Sequence, residues 1–223
     1  MSLFALTSRA GIAGLVLLVC LVSACGADEA DHAYAEGQKA YAQGDNSRAT
    51  EYFTKAIELD PDHAEAYLGR GMIYWRLMRH EQAVSDLTRA IELQPDLMWA
   101  YYVRGASRIS LHKYEEGIAD FTRVTASDIL PAEDLVRAHR WRGIALLNLE
   151  RYEESIIDFT RCVELQPDEP FHYVERGRVY EATGQIEKAK EDYKRYLALS
   201  QAEDGVTEEV RERLSSLEDP APR

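Results

Sequence analysis

Apolar residues are distributed along this chain in two ways. Near the start they form one unbroken run, Ala10 to Ala24, without a charged residue. Beyond it they recur at helical spacing, and the spacing itself repeats: RGMIYWRLMRHEQAVSDLTRAIELQPD, from Arg70, is echoed by RGIALLNLERYEESIIDFTRCVELQPD, from Arg142. Gly37, Gly71 and Gly105 lie 34 residues apart, Gly143 follows after 38 and Gly177 after a further 34, so five copies of one unit are present. Self-similarity at such a period implies units that bury their apolar faces on one another. A glycine within a helical pattern costs about 1 kcal/mol relative to alanine, so five in register imply a packing reason. Twelve residues after each glycine stands a small residue, Ala49, Ala83, Gly117, Ser155 or Ala189, and four further on a large one, Phe53, Leu87, Phe121, Phe159 or Tyr193. The pattern predicts two antiparallel helices per unit, meeting small residue against small residue, with the large side chain filling the space beside them. Pro61, Pro95 and Pro167 mark where second helices must stop.

Two copies add a tyrosine four residues before the glycine and another three after it: Tyr67, Gly71 and Tyr74, and Tyr173, Gly177 and Tyr180. In these features the chain resembles the tetratricopeptide repeat, over residues 30 to about 200. The resemblance implies an all-α fold, a superhelical stack (α-solenoid) of five helix-turn-helix units at about 30–63, 64–97, 98–131, 136–169 and 170–200. The first copy departs from the pattern with Ala33 and Ala40 in the aromatic places, as an end unit with one uncovered face would. The third has Arg108 for its second aromatic, lacks the closing proline, and is followed by four extra residues within TASDILPAED, residues 125 to 134, which read as a bend or longer linker. After the fifth copy, residues 206–218 carry Val210, Leu214 and Leu217 on one face, the pattern of a helix that caps the stack.

At about 100° per residue, positions 4, 7, 8 and 11 of a unit share one face of the first helix, and positions 2, 5, 9 and 12 another. In the family the second face lines a concave groove that binds peptides. The resemblance places there Tyr34 and Tyr41 of the first copy, Leu68, Met72, Trp75 and the neighbouring Arg76 of the second, and Trp99 and Tyr102 of the third. The fourth supplies Arg137 and Arg140 with Trp141 at the margin, and the fifth Phe171 and Arg178. Aromatic residues and arginines are enriched at binding hot spots. An apolar face with arginines, in an otherwise acidic chain, predicts a protein or peptide ligand with apolar anchors and some negative charge. The lysines and asparagines of the family's carboxylate-binding version are not matched: Leu68, Met72, Tyr102 and Ala106 stand in those places.

The early apolar run is about fifteen residues long, short of the roughly 20 that span a bilayer, and follows Arg9, so it reads as a signal peptide over residues 1–24. It ends in Val22-Ser23-Ala24-Cys25, which resembles the lipobox of bacterial lipoproteins. That resemblance implies a lipid anchor on Cys25, a tether over 25–32, and membrane attachment through the lipid, with Gly26 fitting the periplasmic face of an outer membrane. With 26 basic and 39 acidic residues the formal charge is −13, and removing residues 1–24 makes it −14. Such a charge argues against nucleic acid as a partner. Cys162 is left without a partner in the chain, and no zinc spacing is present.

An arginine precedes the glycine in four copies, Arg70, Arg104, Arg142 and Arg176, and an aspartate stands 16 residues later, Asp86, Asp120, Asp158 and Asp192; the first copy lacks both. Joint presence and absence predict a structural ion pair, within a unit or between units. No histidine pair, phosphate loop or nucleophile elbow points to catalysis, and neither a cofactor, a metal nor a small-molecule substrate is implied. The expected function is a membrane-anchored adaptor or scaffold, in assembly or regulation of a cell-envelope complex. The alternatives are a self-assembling structural stack and a non-catalytic regulator of an envelope enzyme.

Overall fold

The computed structural model describes residues 28–127, 129–201 and 204–218; the signal segment 1–24 and Cys25 lie outside them. Among the described residues there are eleven helices and no strand: α1 (28–42), α2 (Asn46–Leu59), α3 (Ala64–Arg76), α4 (His80–Leu93), α5 (Met98–Ser110), α6 (Tyr114–Thr125), α7 (Ala132–Asn148), α8 (Tyr152–Leu165), α9 (Pro170–Ala182), α10 (Ile186–Leu199) and α11 (Gly205–Glu218). The chain divides into two compact units, one ending at Val103 and the other beginning at Arg104. The division falls within α5.

Each first helix ends in the same turn. The chain enters the left-handed region for one residue, at Gly44, Met78, His112, Glu150 and Gly184, with φ between 57° and 78°. In the second copy the Met78 N–H reaches back to the Trp75 carbonyl and the Arg79 N–H to the Tyr74 carbonyl, 3.0 and 2.8 Å, which closes the helix and reverses the chain. The same pair of bonds recurs around Glu150 and Gly184. A side chain in this conformation costs about 1–2 kcal/mol, and glycine avoids most of it. Met78 is exposed and makes little use of its side chain there. Met78→Gly is therefore expected to raise the melting temperature by about 1–3 °C, and Gly44→Met to lower it, as circular dichroism would show.

Second helices stop at Leu59, Leu93 and Leu165, two residues before Pro61, Pro95 and Pro167. The following first helices start on local caps: His63 Nδ1 accepts from the Ala66 N–H at α3, and Glu169 precedes Pro170 in the first position of α9.

The recurring glycine meets both residues its spacing pairs it with, the large one and the small one of the second helix. A Cβ on Gly177 would stand 2.8 Å from the Tyr193 ring, and one on Gly37 2.8 Å from the Phe53 ring. The glycine makes room for the large residue 16 positions on, whose side chain is buried over the helix backbone. The small residue twelve positions on meets the glycine's carbonyl: Ser155 Oγ donates to Gly143 O at 2.9 Å, and a Cβ on Gly117 would lie 3.1 Å from Gly105 O.

Two boundaries differ from the sequence reading. The connection after α6, 126–131, is six residues against four after α2, α4 and α8, so the expected longer linker is present, but short. The insertion mainly lengthens α7, which begins at Ala132 and runs for 17 residues against 13 in α3 and α9, because Val136 and Ala138 bury and Glu133 and Asp134 suit a helix start. Residues 28–32, expected as a tether, are already helical, since Ala30 and Ala33 bury against the first unit. At the other end α11 packs on α10. Val210, fully buried, joins Tyr193 and Tyr196, with Val206, Leu214 and Leu217 around them.

Candidate functional site

The paired arginines and aspartates lie within one repeat. Arg70 grips Asp86 with two bonds, Nε to Oδ2 at 2.7 Å and Nη2 to Oδ1 at 2.9 Å, and Arg104, Arg142 and Arg176 hold Asp120, Asp158 and Asp192 in the same way. Arg70, Arg142 and Arg176 also reach backwards. Arg70 donates to Thr54 Oγ1, Arg176 to Thr160 Oγ1, and Arg142 to Thr122 and Thr125. The guanidinium therefore ties its own second helix to the preceding one. In the third repeat Arg108, the departure from the aromatic pattern, adds a second cation to Asp120 at 2.6 Å. In the fourth, His139 Nδ1 lies 2.8 Å from Asp158.

These links are scaffold, and they make no use of the other face of the first helices. In the first unit, Tyr34 and Tyr41 of α1 and Leu68 and Met72 of α3 are half-buried. Together they line a notch of about 320 Å³ with Gln38, Glu65, Gly69 and Phe53. Tyr34 takes a hydrogen bond from Gln38 at 2.8 Å, and burial, followed by the charge of Glu65, raises its pKa. The Arg76 guanidinium lies over the Tyr41 ring, 5.1 Å from its centre. Trp75 is half-buried. Trp99 is 39% exposed and meets Tyr102 edge-on at 5.3 Å, while Tyr102 itself is buried.

In the second unit, Arg137, Arg140 and Phe171 line an open pocket of about 490 Å³ with Val136, His172 and three polar side chains. Phe171 is 43% exposed. His172 is buried against Gln166, and that burial lowers its pKa. The arginines are not free for an acidic ligand. Arg137 is paired with Glu133 and Asp134, Arg140 Nε donates to both oxygens of Glu175, and Arg178 pairs with Glu209 of α11 at 2.7 Å. Trp141 is placed in packing: half-buried, it stacks on the Phe121 ring with the planes 4° from parallel. Cys162 is buried with Sγ against Val136 O, and burial pushes its thiol up to about 12, out of the reactive range.

Phe53, Gly69 and His172 line these pockets without having been expected to. Gly69 had a signal in the sequence, as an extra glycine two residues before the repeating one. Phe53 belongs to the repeating packing set, and nothing in its spacing shows that its ring, though buried, also borders the notch.

Helix pairs joined by a conserved turn geometry and tied by internal ion pairs define an all-α repeat protein. Family profiles described as tetratricopeptide repeat match residues 34–97, 136–169 and 173–203, and the chain belongs to that family. No curated protein sequence matches the chain. Among solved structures it is similar to YrrB, described as a TPR protein with an unusual peptide-binding site, at 19% identity and a TM-score of 0.73 over 81% of this chain and 90% of that one. It is also similar to MamA, residues 41 to the end, from Desulfovibrio magneticus RS-1, at 21% identity and a TM-score of 0.71 over 80% and 98%. At these identities the likeness establishes the fold.

Proposed function

We propose that the chain is a non-catalytic scaffold that holds a partner protein's peptide or helix against the open face of its first helices, tethered to a bacterial envelope membrane through lipidated Cys25. Its place is the periplasmic face of the outer membrane, in assembly or regulation of an envelope complex. The observation that carries the binding role is apolar surface left open where the stack has no use for it. Trp99 and Phe171, at equivalent positions of α5 and α9, are 39% and 43% exposed, and each stands beside an aromatic ring that is itself covered. Exposed aromatic side chains on a rigid support are the residues through which interfaces gain most of their affinity. The peptide site for which YrrB is described supports the same use of the fold. The anchor rests on the lipobox-like Val22-Ser23-Ala24-Cys25.

Crosslinking in the native envelope followed by pull-down tests the reading, with Trp75→Ala, Trp99→Ala and Phe171→Ala combined as control. A partner recovered with the unaltered chain and lost with the variant is expected; identical recoveries from both overturn it. Labelled palmitate is expected on the unaltered chain and not on Cys25→Ala, and label that persists on the variant overturns the anchor.

A further inference from the structure

The notch of the first unit owes its shape to one substitution in the repeat. The position of Gly69 is held by Val103, Trp141 and Glu175 in the three following copies. A Cβ on Gly69 would stand 2.6 Å from Phe53 Cζ, so the ring tip rises into the space a side chain would otherwise fill. The result is an aromatic floor between α1 and α3, with tyrosines on one wall and Leu68 and Met72 on the other.

Its electrostatics are one-sided. Glu65 is the sole charged residue among those lining the notch, and it is 45% exposed. Asp31 is 77% exposed, and the two carboxylates lie 3.5 and 3.4 Å from the two ring nitrogens of His63, at the end where α3 begins. Of the cations on α3 and around its start, Arg70 is held by Asp86 and Arg89 by Asp62 and Glu92, while Arg76, eleven residues from Glu65 and about 16 Å along the helix, lies over the Tyr41 ring. The chain as a whole carries a formal charge of −13. In the second unit Arg137, Arg140 and Arg178 are engaged by the protein's own carboxylates. The charge preference is thus the reverse of the one the arginines suggest in the sequence.

We propose that this notch receives one large apolar side chain of a partner peptide that also carries a lysine or arginine two or three residues away, the cation pairing with Glu65 and Asp31. The proposal rests on the reading of this face as a peptide surface and adds the chemistry of the occupant. The spacing follows from geometry. Leu68 and Met72 lie about 5 and 10 Å along α3 from Glu65, and an extended peptide covers about 3.3 Å per residue. Like-signed approach to an acidic rim is disfavoured, and opposite charge both steers encounter and fixes register.

The full chain is incubated with an immobilised library of randomised short peptides. Enrichment of a large apolar residue with lysine or arginine two or three positions away is expected. Glu65→Lys and Met72→Gln are each expected to weaken the enriched peptide about tenfold, while Ile157→Ala, at an exposed apolar residue of α8, leaves it within about twofold. Should Met72→Gln fail to fold by circular dichroism, Glu65→Lys, at an exposed helix start, carries the test. Enrichment of aspartate or glutamate, or affinity unchanged in Glu65→Lys, overturns the notch while leaving the peptide surface standing. A library that yields no bound peptide overturns both.

Discussion

Replacing Asp158 with alanine is expected to lower the melting temperature by about 10 °C, the largest effect of any single surface-remote substitution in the second unit. Asp158 is 1% exposed and accepts three charge-assisted bonds, two from Arg142 and one from the side of His139. Removing one partner of a buried pair costs about 3–5 kcal/mol, because the cation left behind has lost both its solvent and its counter-charge. In a chain of repeats the loss is concentrated in the affected unit and its neighbours, so amide exchange is expected to accelerate first in α7 and α8. The pH dependence follows from the shift at this residue. Burial acts to raise the Asp158 pKa, but the bonds from Arg142 and His139 outweigh it and hold the value below that of an ordinary aspartate. Its contribution is therefore complete above the unfolded value of about 3.9 and is lost as the pH falls through the lower folded value. The gap between the melting curves of the unaltered chain and Asp158→Ala is expected to close in that acid range. Asp192 is the natural control. It has Arg176 but no histidine, and burial wins, raising its pKa. At neutral pH Asp192→Asn is expected to cost less than Asp158→Asn; equal losses would mean that His139 adds nothing.

The parts of the molecule that repeat were readable from the sequence, since a constraint imposed five times leaves five copies of its signature. The helix pairs and the glycine register, in all five copies, and the arginine with its aspartate 16 residues on, in four, have this origin. What spacing could not convey was partner choice. Small residues at glycine and twelve positions later do meet, through the glycine's carbonyl, but spacing did not show that the large residue 16 positions on lies against the glycine's bare side. Nor does periodicity say whether a charge is available. Arg137, Arg140 and Arg178 occupy the expected face, but Glu133, Glu175 and Glu209 that quench them come from the same helix, the next first helix and α11 respectively. The notch was half legible: Tyr34, Leu68 and Met72 follow from the face rule, whereas its floor depends on Gly69 breaking the repeat rather than obeying it.

Ending the chain at Ser200, and so removing α11, is expected to destabilise the last helix pair by about 2–5 kcal/mol, from the aromatic area it would uncover. Tyr193 and Tyr196 are fully buried, and α11 supplies Val210 and Leu214 to the cluster that covers them. The polar ends of both rings are also tied on this side. Tyr196 Oη lies 3.0 Å from Thr207 Oγ1, and Tyr193 Oη donates to Glu181 at 2.7 Å, a carboxylate that Arg213 of α11 also holds at 3.1 Å. Burial and the bond to Glu181 raise the Tyr193 pKa, so its proton stays in place across the physiological range. Without α11 the hydroxyl of Tyr196 and a broad apolar face would meet water together, in the manner of a repeat array stripped of its cap. Faster amide exchange in α10, a lower melting temperature and concentration-dependent association are expected to appear together. Val210→Asp, which keeps the helix but places a charge in its buried centre, is expected to give the same signs more mildly. If α10 exchanges at an unchanged rate in both variants, the fifth repeat is stable alone, and α11 is an appendage rather than the cover that its buried face describes.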